Sequence, residues 1–199
     1  LVKEMSREHK LKQAIAPILD QYDYILIDCP PSLGLLTLNA LTACTDVIIP
    51  IQSEYYALEG VSQLLNTINL IRKNLNPNLN ILGVVLTMYD KRLNLSNQVA
   101  KEVRRYFKEK VFQSIIPRSV KLSEAPSFGK PAVIYDPHNR GSIAYMELGR
   151  EFLTRFGSSD DQKELAALVQ ESRTPVAAEE TQTEPAPETE QSQTAQTNP

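Results

Sequence analysis

The stretch Tyr24-Ile25-Leu26-Ile27-Asp28-Cys29-Pro30-Pro31-Ser32 decides the fold of this chain. It opens with β-branched and aromatic residues, leads into one aspartate, and is then broken by two prolines. This pattern predicts a buried strand that delivers Asp28 to the carboxyl edge of a sheet, where open α/β folds bind ligands. A carboxylate placed there suits Mg²⁺ or its waters, because Mg²⁺ prefers oxygen ligands and keeps several waters. A strand that simply ends at a solvated aspartate is the alternative, and this stretch alone does not separate the two.

Charge divides the chain into two parts. Residues 158–199 carry nine acidic and two basic side chains, a net charge of −7, whereas residues 1–157 have a net charge of +4. From Thr174 onward the sequence is a mixture of Glu, Thr, Gln, Pro and Ala. Such a composition cannot bury enough apolar surface to offset its chain entropy. We therefore predict a folded domain over 1–157 and a disordered acidic tail over 158–199, with a short helix permitted around Gln162–Glu171.

The cysteines and the hydropathy exclude several classes of protein. Cys29 and Cys44 form neither a disulfide framework nor a metal-ligand pair, so we expect two reduced thiols in a cytosolic protein. No apolar run approaches the length that spans a bilayer, and we expect no membrane partner.

Strand and helix patterns alternate along the rest of the folded part. Further buried strands are predicted at 46–51, 81–88 and 111–116, with apolar residues at helical spacing between them. A short extended segment is expected over Ala132–Tyr135, before a last helix from Ser142 to Phe156. This alternation predicts an α/β fold with a doubly wound, mostly parallel sheet. The continuous apolar strands agree, since parallel strands are covered on both faces.

Five blocks of sequence resemble the ParA/Soj family of chromosome- and plasmid-partitioning ATPases, which belong to the deviant Walker-A class of P-loop proteins. The blocks keep the family's order and spacing, and they are Tyr22–Gly34 (YDYILIDCPPSLG), Pro50–Gly60 (PIQSEYYALEG), Leu86–Ser96 (LTMYDKRLNLS), Ile116–Pro131 (IPRSVKLSEAPSFGKP) and Tyr135–Gly141 (YDPHNRG). Together they extend the resemblance over residues 1–156. The resemblance implies a sheet of the P-loop NTPase type.

The chain departs from the family's pattern at its start. A family member carries a deviant Walker-A loop and a switch aspartate, and we expect both of them upstream of Leu1. The seven glycines present form no loop that could cradle phosphates. We therefore expect an N-terminally truncated member that lacks its P-loop unit. By itself, such a chain should bind nucleotide poorly and hydrolyse none.

By this resemblance, Asp28 is the Walker-B aspartate, whose role is to hold the water shell of the Mg²⁺ ion that bridges the β- and γ-phosphates of ATP. The residues that follow would form the second switch: Pro30, Pro31, Ser32 and Gly34. Consecutive prolines fix φ and remove backbone donors, which makes a stiff hinge beside a mobile glycine. The alternative for the two prolines is a plain turn that ends the strand.

The family also implies a loop that contacts the adenine base. Pro137 and Asn139 occupy the matching positions, and Met88, at the end of a predicted strand, is a further candidate. An asparagine offers both a donor and an acceptor to a purine edge, and proline offers a flat apolar surface. For Asn139 the alternative is an Asx-type turn before the last helix.

DNA binding is the second activity that the resemblance implies, since ATP-bound ParA-like homodimers bind duplex DNA without sequence preference. Arg118 and Lys121 match the family's basic DNA-contacting position. Four more basic residues recur at helical spacing on one predicted face: Lys101, Arg104, Arg105 and Lys108. Such a stripe suits phosphates, because charge neutralisation needs position and no base readout. An ordinary solvated helix face is the alternative for these four residues.

The resemblance further implies a ParB-type partner that stimulates ATP hydrolysis, and a cytoplasmic protein associated with the nucleoid. Two other functions stay open from the residues. One is a binding module for DNA or protein that no longer binds nucleotide. The other is a MinD-like membrane-associated ATPase, which would need a basic amphipathic C-terminal helix, whereas this C-terminus is acidic and rich in glutamine.

Overall fold

Three parallel strands form the sheet in the part of the chain that the structure describes. This computed structural model describes residues 6–30, 32–54 and 57–171. The strands are β1 (Asp46–Gln52), β2 (Asn80–Tyr89) and β3 (Val111–Pro117), and β2 lies between the other two. Both pairings are parallel. The predicted α/β class with a parallel sheet is confirmed, and each of these strands lies within two residues of its predicted bounds.

Helices connect the strands and follow the last one. The α-helices in the described residues are α1 (Lys10–Ile15), α2 (Leu35–Ala43), α3 (Ala57–Asn74), α4 (Asn94–Phe107), α5 (Val120–Glu124), α6 (Ala132–Tyr135), α7 (Arg140–Phe156) and α8 (Ser159–Glu171). Short 3₁₀ turns occupy Arg7–His9, Ala16–Gln21, Lys108–Lys110 and Ala125–Phe128.

The side chains of β2 alternate between two cores. Val84 and Leu86 belong to a cluster that includes Ile68 of α3 and Val103 of α4. Val85, between them, belongs to a second cluster whose other members come from β3 and α7. Burying one such side chain contributes about 1.5–3 kcal/mol relative to leaving it exposed. Because β2 is covered on both faces, the sheet is doubly wound, as the apolar runs predicted.

The predicted strand over Tyr24–Asp28 is wrong. This segment has no regular secondary structure and pairs with no strand among the described residues, and the side chain of Leu26 is 88% exposed. Sequence pattern favours an extended chain, but a strand exists only where a neighbour accepts its backbone hydrogen bonds. Ile25 and Ile27 are half-buried while their neighbours are exposed, so the segment covers the protein on one side only.

The predicted extended segment over Ala132–Tyr135 is also wrong, because these residues form α6. The carbonyl of Pro131 accepts the amides of Ile134 at 2.9 Å and Tyr135 at 2.8 Å. The fixed φ of a proline suits the start of a helical turn. Ile134 is exposed, so the apolar run does not have the burial that would favour a strand.

The predicted acidic tail begins with an ordered helix. The hydroxyl of Ser158 accepts the amide of Asp161 at 3.1 Å, and the carboxylate of Asp161 accepts the amide of Ser158 at 2.8 Å. This reciprocal pair is a capping box, which satisfies two amides at the start of α8. The permitted helix is therefore present and longer than expected, and the prediction of disorder is wrong for 159–171. Residues 172–199 lie outside the described residues.

Candidate functional site

The ends of the three strands bring several of the predicted site residues to one edge of the sheet. The amide of Ser53, just after β1, donates to the carbonyl of Thr87 at 2.9 Å. The amide of Arg118, just after β3, donates to the carbonyl of Tyr89 at 3.1 Å. Each ladder is thus extended by one residue, and Glu54 and Arg118 leave the sheet from fixed backbone positions.

Arg118 forms an ion pair across this edge. Its Nη2 lies 2.5 Å from Oε1 of Glu54, and the two side chains are 57% and 51% exposed. An exposed pair of this kind contributes little to stability, about 0–1 kcal/mol, and salt screens it. The predicted DNA-binding arginine is therefore on the surface and already holds one carboxylate.

A second arginine, which the sequence analysis missed, lies at the same edge. Arg92 holds Asp90 with both Nε (3.0 Å) and Nη2 (2.7 Å), and its own amide also donates to that carboxylate at 3.0 Å. The Arg92 side chain lowers the pKa of Asp90 to about 2, and the charge of Arg118 contributes to that shift. Arg92 and Arg118 are thus close enough to act on one carboxylate. A lone arginine in a loop has no periodic signal, and only the fold shows this neighbourhood.

Lys121 lies in a small polar cluster on the loop and helix that follow β3. Its Nζ is 2.9 Å from Oε2 of Glu124, which also accepts the hydroxyl of Tyr135 at 3.1 Å. The ammonium lies 5.6 Å from the centroid of the Tyr135 ring. The hydrogen bond to Glu124 raises the pKa of Lys121 above its ordinary value, so this residue keeps its positive charge.

Asn139 caps α7 and joins two loops. Its Oδ1 accepts the amide of Gly141 and the hydroxyl of Ser119, each at 2.8 Å. The turn that was the alternative for this residue is therefore present. Its nucleotide-binding role stays a prediction, and the amide nitrogen, which has no hydrogen-bond partner among the described residues, is the group that could still serve it. Ser119 lies between Arg118 and Lys121 in sequence, so this bond links the predicted base-binding loop to the predicted DNA-binding loop.

The other two predicted base-contacting residues differ in their exposure. Pro137 is exposed in the turn before α7. Met88 is half-buried at the last but one position of β2 and has a positive φ of 53°. Positive φ is uncommon for a residue other than glycine and turns the chain sharply as β2 reaches the edge.

The predicted second switch is fastened to α2. The buried hydroxyl of Thr37 lies 2.6 Å from the carbonyl oxygen of Ser32 and 3.4 Å from that of Pro30. Gly34 is the N-cap residue of α2, and its carbonyl accepts the amide of Leu38 at 3.0 Å. Its φ of −87° is open to any residue, so this conformation does not require a glycine. Pro31 lies outside the described residues.

Asp28 is exposed, in a segment without regular secondary structure. Among the described residues, no hydrogen bond or ion pair connects it to Met88, Pro137 or Asn139. The structure therefore brings the predicted base-binding and DNA-binding loops together. The magnesium-binding role of Asp28 stays a prediction.

The basic stripe on α4 is shorter than predicted. Val99 and Val103 are buried on one side of the helix, and the opposite side exposes three basic residues: Lys101, Arg104 and Arg105. Arg105 pairs with Glu102 at 2.6 Å. Lys108 follows the end of α4 with a φ of 50° and a ψ of −121°, so it is not part of this helix, although its amide still donates to the carbonyl of Arg104.

The described residues contain neither a metal-binding cluster of acidic, His or Cys side chains nor a membrane-spanning helix. No group of three or more His, Cys, Asp or Glu side chains in this part of the chain is arranged to hold a metal ion. Of the helices described, none is both long and apolar enough to cross a membrane.

Comparison with known proteins gives a consistent set of relatives. Residues 1–81 match the family model described as an AAA domain. The chain is 59% identical over 151 residues to the sporulation initiation inhibitor protein Soj of Bacillus subtilis, which covers 76% of this chain and 60% of Soj. It is 56% identical over 155 residues to the chromosome partitioning protein ParA of Myxococcus xanthus, which covers 78% of this chain and 55% of ParA.

A solved structure agrees with these relatives. The cobyrinic acid a,c-diamide synthase from Mycobacterium smegmatis, with bound ADP and magnesium, superposes with a TM-score of 0.62 at 36% identity. The match covers 79% of this chain and 58% of that one. The chain spans 55–60% of the length of the two curated relatives.

Proposed function

Because this chain belongs to the ParA/Soj family of chromosome-partitioning proteins, we propose that the protein is a partition ATPase. It binds ATP with Mg²⁺, forms a homodimer in the ATP-bound state and then binds duplex DNA without sequence preference. A ParB-type partner stimulates its ATP hydrolysis, and its DNA binding places it on the nucleoid in the cytoplasm.

One observation supports the coupling of ATP to DNA most directly. The Ser119 hydroxyl donates to Asn139 Oδ1 at 2.8 Å, and Ser119 is flanked by Arg118 and Lys121. A nucleotide base that accepts a hydrogen bond from the amide nitrogen of Asn139 would reorient this side chain. The Oδ1 atom that accepts the Ser119 hydroxyl would move with it. The loop that carries the two cations would respond to that change. This link gives the fold a short path from the nucleotide to the DNA surface.

Some of the residues present are suited to bind ATP and Mg²⁺. Mg²⁺ uses one or two carboxylates and keeps the rest of its shell as water and phosphate oxygen, so the single carboxylate of Asp28 is sufficient as the protein's contribution. Bound Mg²⁺ would neutralise charge that develops on the phosphates. The amide nitrogen of Asn139 can donate to a purine nitrogen, and Pro137 offers its exposed ring to the base. The relative from M. smegmatis was crystallised with ADP and magnesium, which supports the same pair here.

The proposed DNA surface consists of cations at the sheet edge and on α4, of which Lys121 is half-buried and the others are exposed. Arg92, Arg118 and Lys121 lie at the carboxyl edge of the sheet, while Lys101 and Arg104 lie on α4. Cations of this kind hold phosphates by position and charge, and each phosphate that a cation neutralises adds about 0.9 to the salt slope of the binding constant. A surface without base-reading contacts fits binding that ignores sequence.

The ATPase part of the proposal is tested by replacing Asp28. In the protein expressed with any upstream residues that its gene encodes, Asp28→Ala should abolish ATP turnover. Asp23→Ala is the matched control, because Asp23 is an exposed carboxylate on the same segment, and it should turn over ATP like the unaltered protein. Equal turnover by Asp28→Ala and the control would remove Asp28 from the magnesium site.

The DNA part is tested by reversing one charge. Arg118→Glu should weaken binding to duplex DNA at every sequence and reduce the salt slope by about 1, while ATP binding is unchanged. Arg150→Glu, on the exposed side of α7, is the control and should bind DNA normally. Salt-dependent DNA binding by the chain without any response to ATP would instead favour the nucleotide-free binding module.

A further inference from the structure

The ion pair between Arg118 and Glu54 crosses the whole width of the described sheet. Glu54 follows β1 and Arg118 follows β3, while β2 lies between them. Neighbouring strands are about 4.8 Å apart, so the side chains span about 10 Å in the plane of the sheet. The guanidinium therefore extends inward over the end of β2, where Met88 turns the chain, and its charge is directed toward Glu54.

The backbone on both sides of this pair is fixed. The Ser53 amide bonds to Thr87, and the Ser53 carbonyl accepts the hydroxyl of Ser96 at 3.1 Å. The Arg118 amide bonds to Tyr89. Glu54 and Arg118 are thus presented to each other by the strand ends, and the pair is a product of the fold.

The other carboxylates that meet cations near this surface make local pairs. Asp90 binds Arg92 two residues away, and Glu124 binds Lys121 three residues away. Glu54 is separated from Arg118 by 64 residues and belongs to a different strand end. Of these ion pairs, only Glu54–Arg118 would break if the spacing of the strand ends changed.

We propose that Glu54 regulates DNA binding by competing with DNA phosphate for Arg118. This inference rests on the proposed function, because it assigns a regulator to the same DNA surface. A phosphate that binds Arg118 must displace the carboxylate, and a carboxylate that remains nearby repels the phosphate. Since strong phosphate contacts are charge-assisted and often bidentate, an arginine that already holds a carboxylate binds DNA less tightly than a free one.

The test uses the protein expressed with any upstream residues that its gene encodes, in the presence of ATP and Mg²⁺. It compares Glu54→Gln with the unaltered protein in binding to duplex DNA of mixed sequence, measured by fluorescence anisotropy over a salt titration. An exposed ion pair contributes up to about 1 kcal/mol, so Glu54→Gln should bind about two- to five-fold more tightly at low salt. The gain should shrink as salt rises, because the pair is screened. Glu164→Gln on α8 removes the same charge at an exposed position and should bind DNA like the unaltered chain.

A double-mutant cycle identifies the route of the effect. If Glu54 acts through Arg118, Glu54→Gln should add no affinity in a chain that already carries Arg118→Gln. An equal gain in that background, or an equal gain from Glu164→Gln, would show a general effect of charge and overturn the inference. DNA binding by the unaltered chain with no gain from Glu54→Gln would overturn the inference alone. Absence of DNA binding in every variant would overturn the proposed DNA function and this regulation with it.

Discussion

Tyr24 donates its phenolic hydrogen to Oδ2 of Asp161 at 2.6 Å, across 137 residues of sequence. The same ring meets Phe152 of α7 edge to face, with the ring centroids 5.6 Å apart. Asp161 lies in the first turn of α8 and forms the capping box with Ser158. The segment that carries Asp28 has no strand partner in the described part of the chain, and Tyr24 fastens it to the last two helices.

Removal of this one hydroxyl should loosen the start of α8. In Tyr24→Phe, the amides of the first turn of α8 should exchange with deuterium faster, because Asp161 loses one of the hydrogen bonds that fix its carboxylate in the capping box. The hydroxyl is the largest cause that holds the pKa of Asp161 below its ordinary value of 3.8. The stabilisation by Asp161 is therefore present above that value and lost as the pH falls through the lowered pKa. Hydrogen exchange followed by mass spectrometry over a pH series measures both effects.

Tyr22→Phe is the matched control, since Tyr22 is an exposed tyrosine just before the same segment. Its exchange pattern should equal that of the unaltered chain. Unchanged exchange in α8 of Tyr24→Phe would show that Tyr24 does not stabilise the start of this helix.

Glu151 accepts hydrogen bonds from backbone amides of β3 at a point where the pairing with β2 is interrupted. Between two paired positions, β2 advances from Val84 to Leu86 while β3 advances from Val111 to Ile115, so β3 carries extra residues there. The Glu151 carboxylate accepts the amide of Gln113 and both the amide and hydroxyl of Ser114, each at 2.8 Å; both residues lie in the extra stretch. Arg155 donates to the same carboxylate at 3.1 Å. Burial alone would raise the pKa of Glu151, but these hydrogen bonds outweigh it, and the pKa lies below its ordinary value.

Glu151→Gln should therefore destabilise the fold by about 1–2 kcal/mol, because the amide cannot accept all the bonds and leaves a half-buried donor of Ser114 unpaired. The full difference in unfolding free energy should be present above pH 4.5, the ordinary pKa of this carboxyl. It should shrink as the pH falls through the lowered pKa of Glu151. Urea denaturation of both proteins over a pH series measures this difference. Glu147→Gln, one turn earlier and exposed, should change stability by less than about 0.5 kcal/mol. A difference that stays constant down to low pH would show that the charge of Glu151 does not act on β3.

β2 is the strand whose burial most directly explains why the sequence predicted it correctly. β2 is apolar at nearly every position, and this pattern predicts a strand that is covered on both faces. The run over Tyr24–Asp28 has a similar composition, but it becomes a strand only with a neighbour at its side, and composition does not report a neighbour. The run over Ala132–Tyr135 follows a proline and is exposed at Ile134, so local turn geometry prevailed over β propensity.

The candidate site was predictable only in part, for a similar reason. The residues were found because motif blocks keep them at fixed spacing, and the fold does bring Arg118, Lys121 and Asn139 to one edge. Glu54 and Arg92 have no periodic pattern that marks them. Arg92 pairs locally with Asp90, but the pairing of Glu54 with Arg118 depends on the order of strand ends in the sheet.

Replacing Gly83 or Gly149 with alanine should change the stability of the protein in opposite directions. A Cβ on Gly83 in β2 would overlap the fully buried ring of Phe112, 2.9 Å from Cδ2 and closer still to Cε2. Gly83→Ala should therefore cost about 1–3 kcal/mol, because the packed ring has to shift. A Cβ on Gly149, in the exposed part of α7, meets nothing within 4 Å. Gly149→Ala should stabilise the protein by about 0.5–1 kcal/mol through helix propensity, and urea denaturation measures both. A neutral Gly83→Ala would show that Phe112 does not pack against β2 as described.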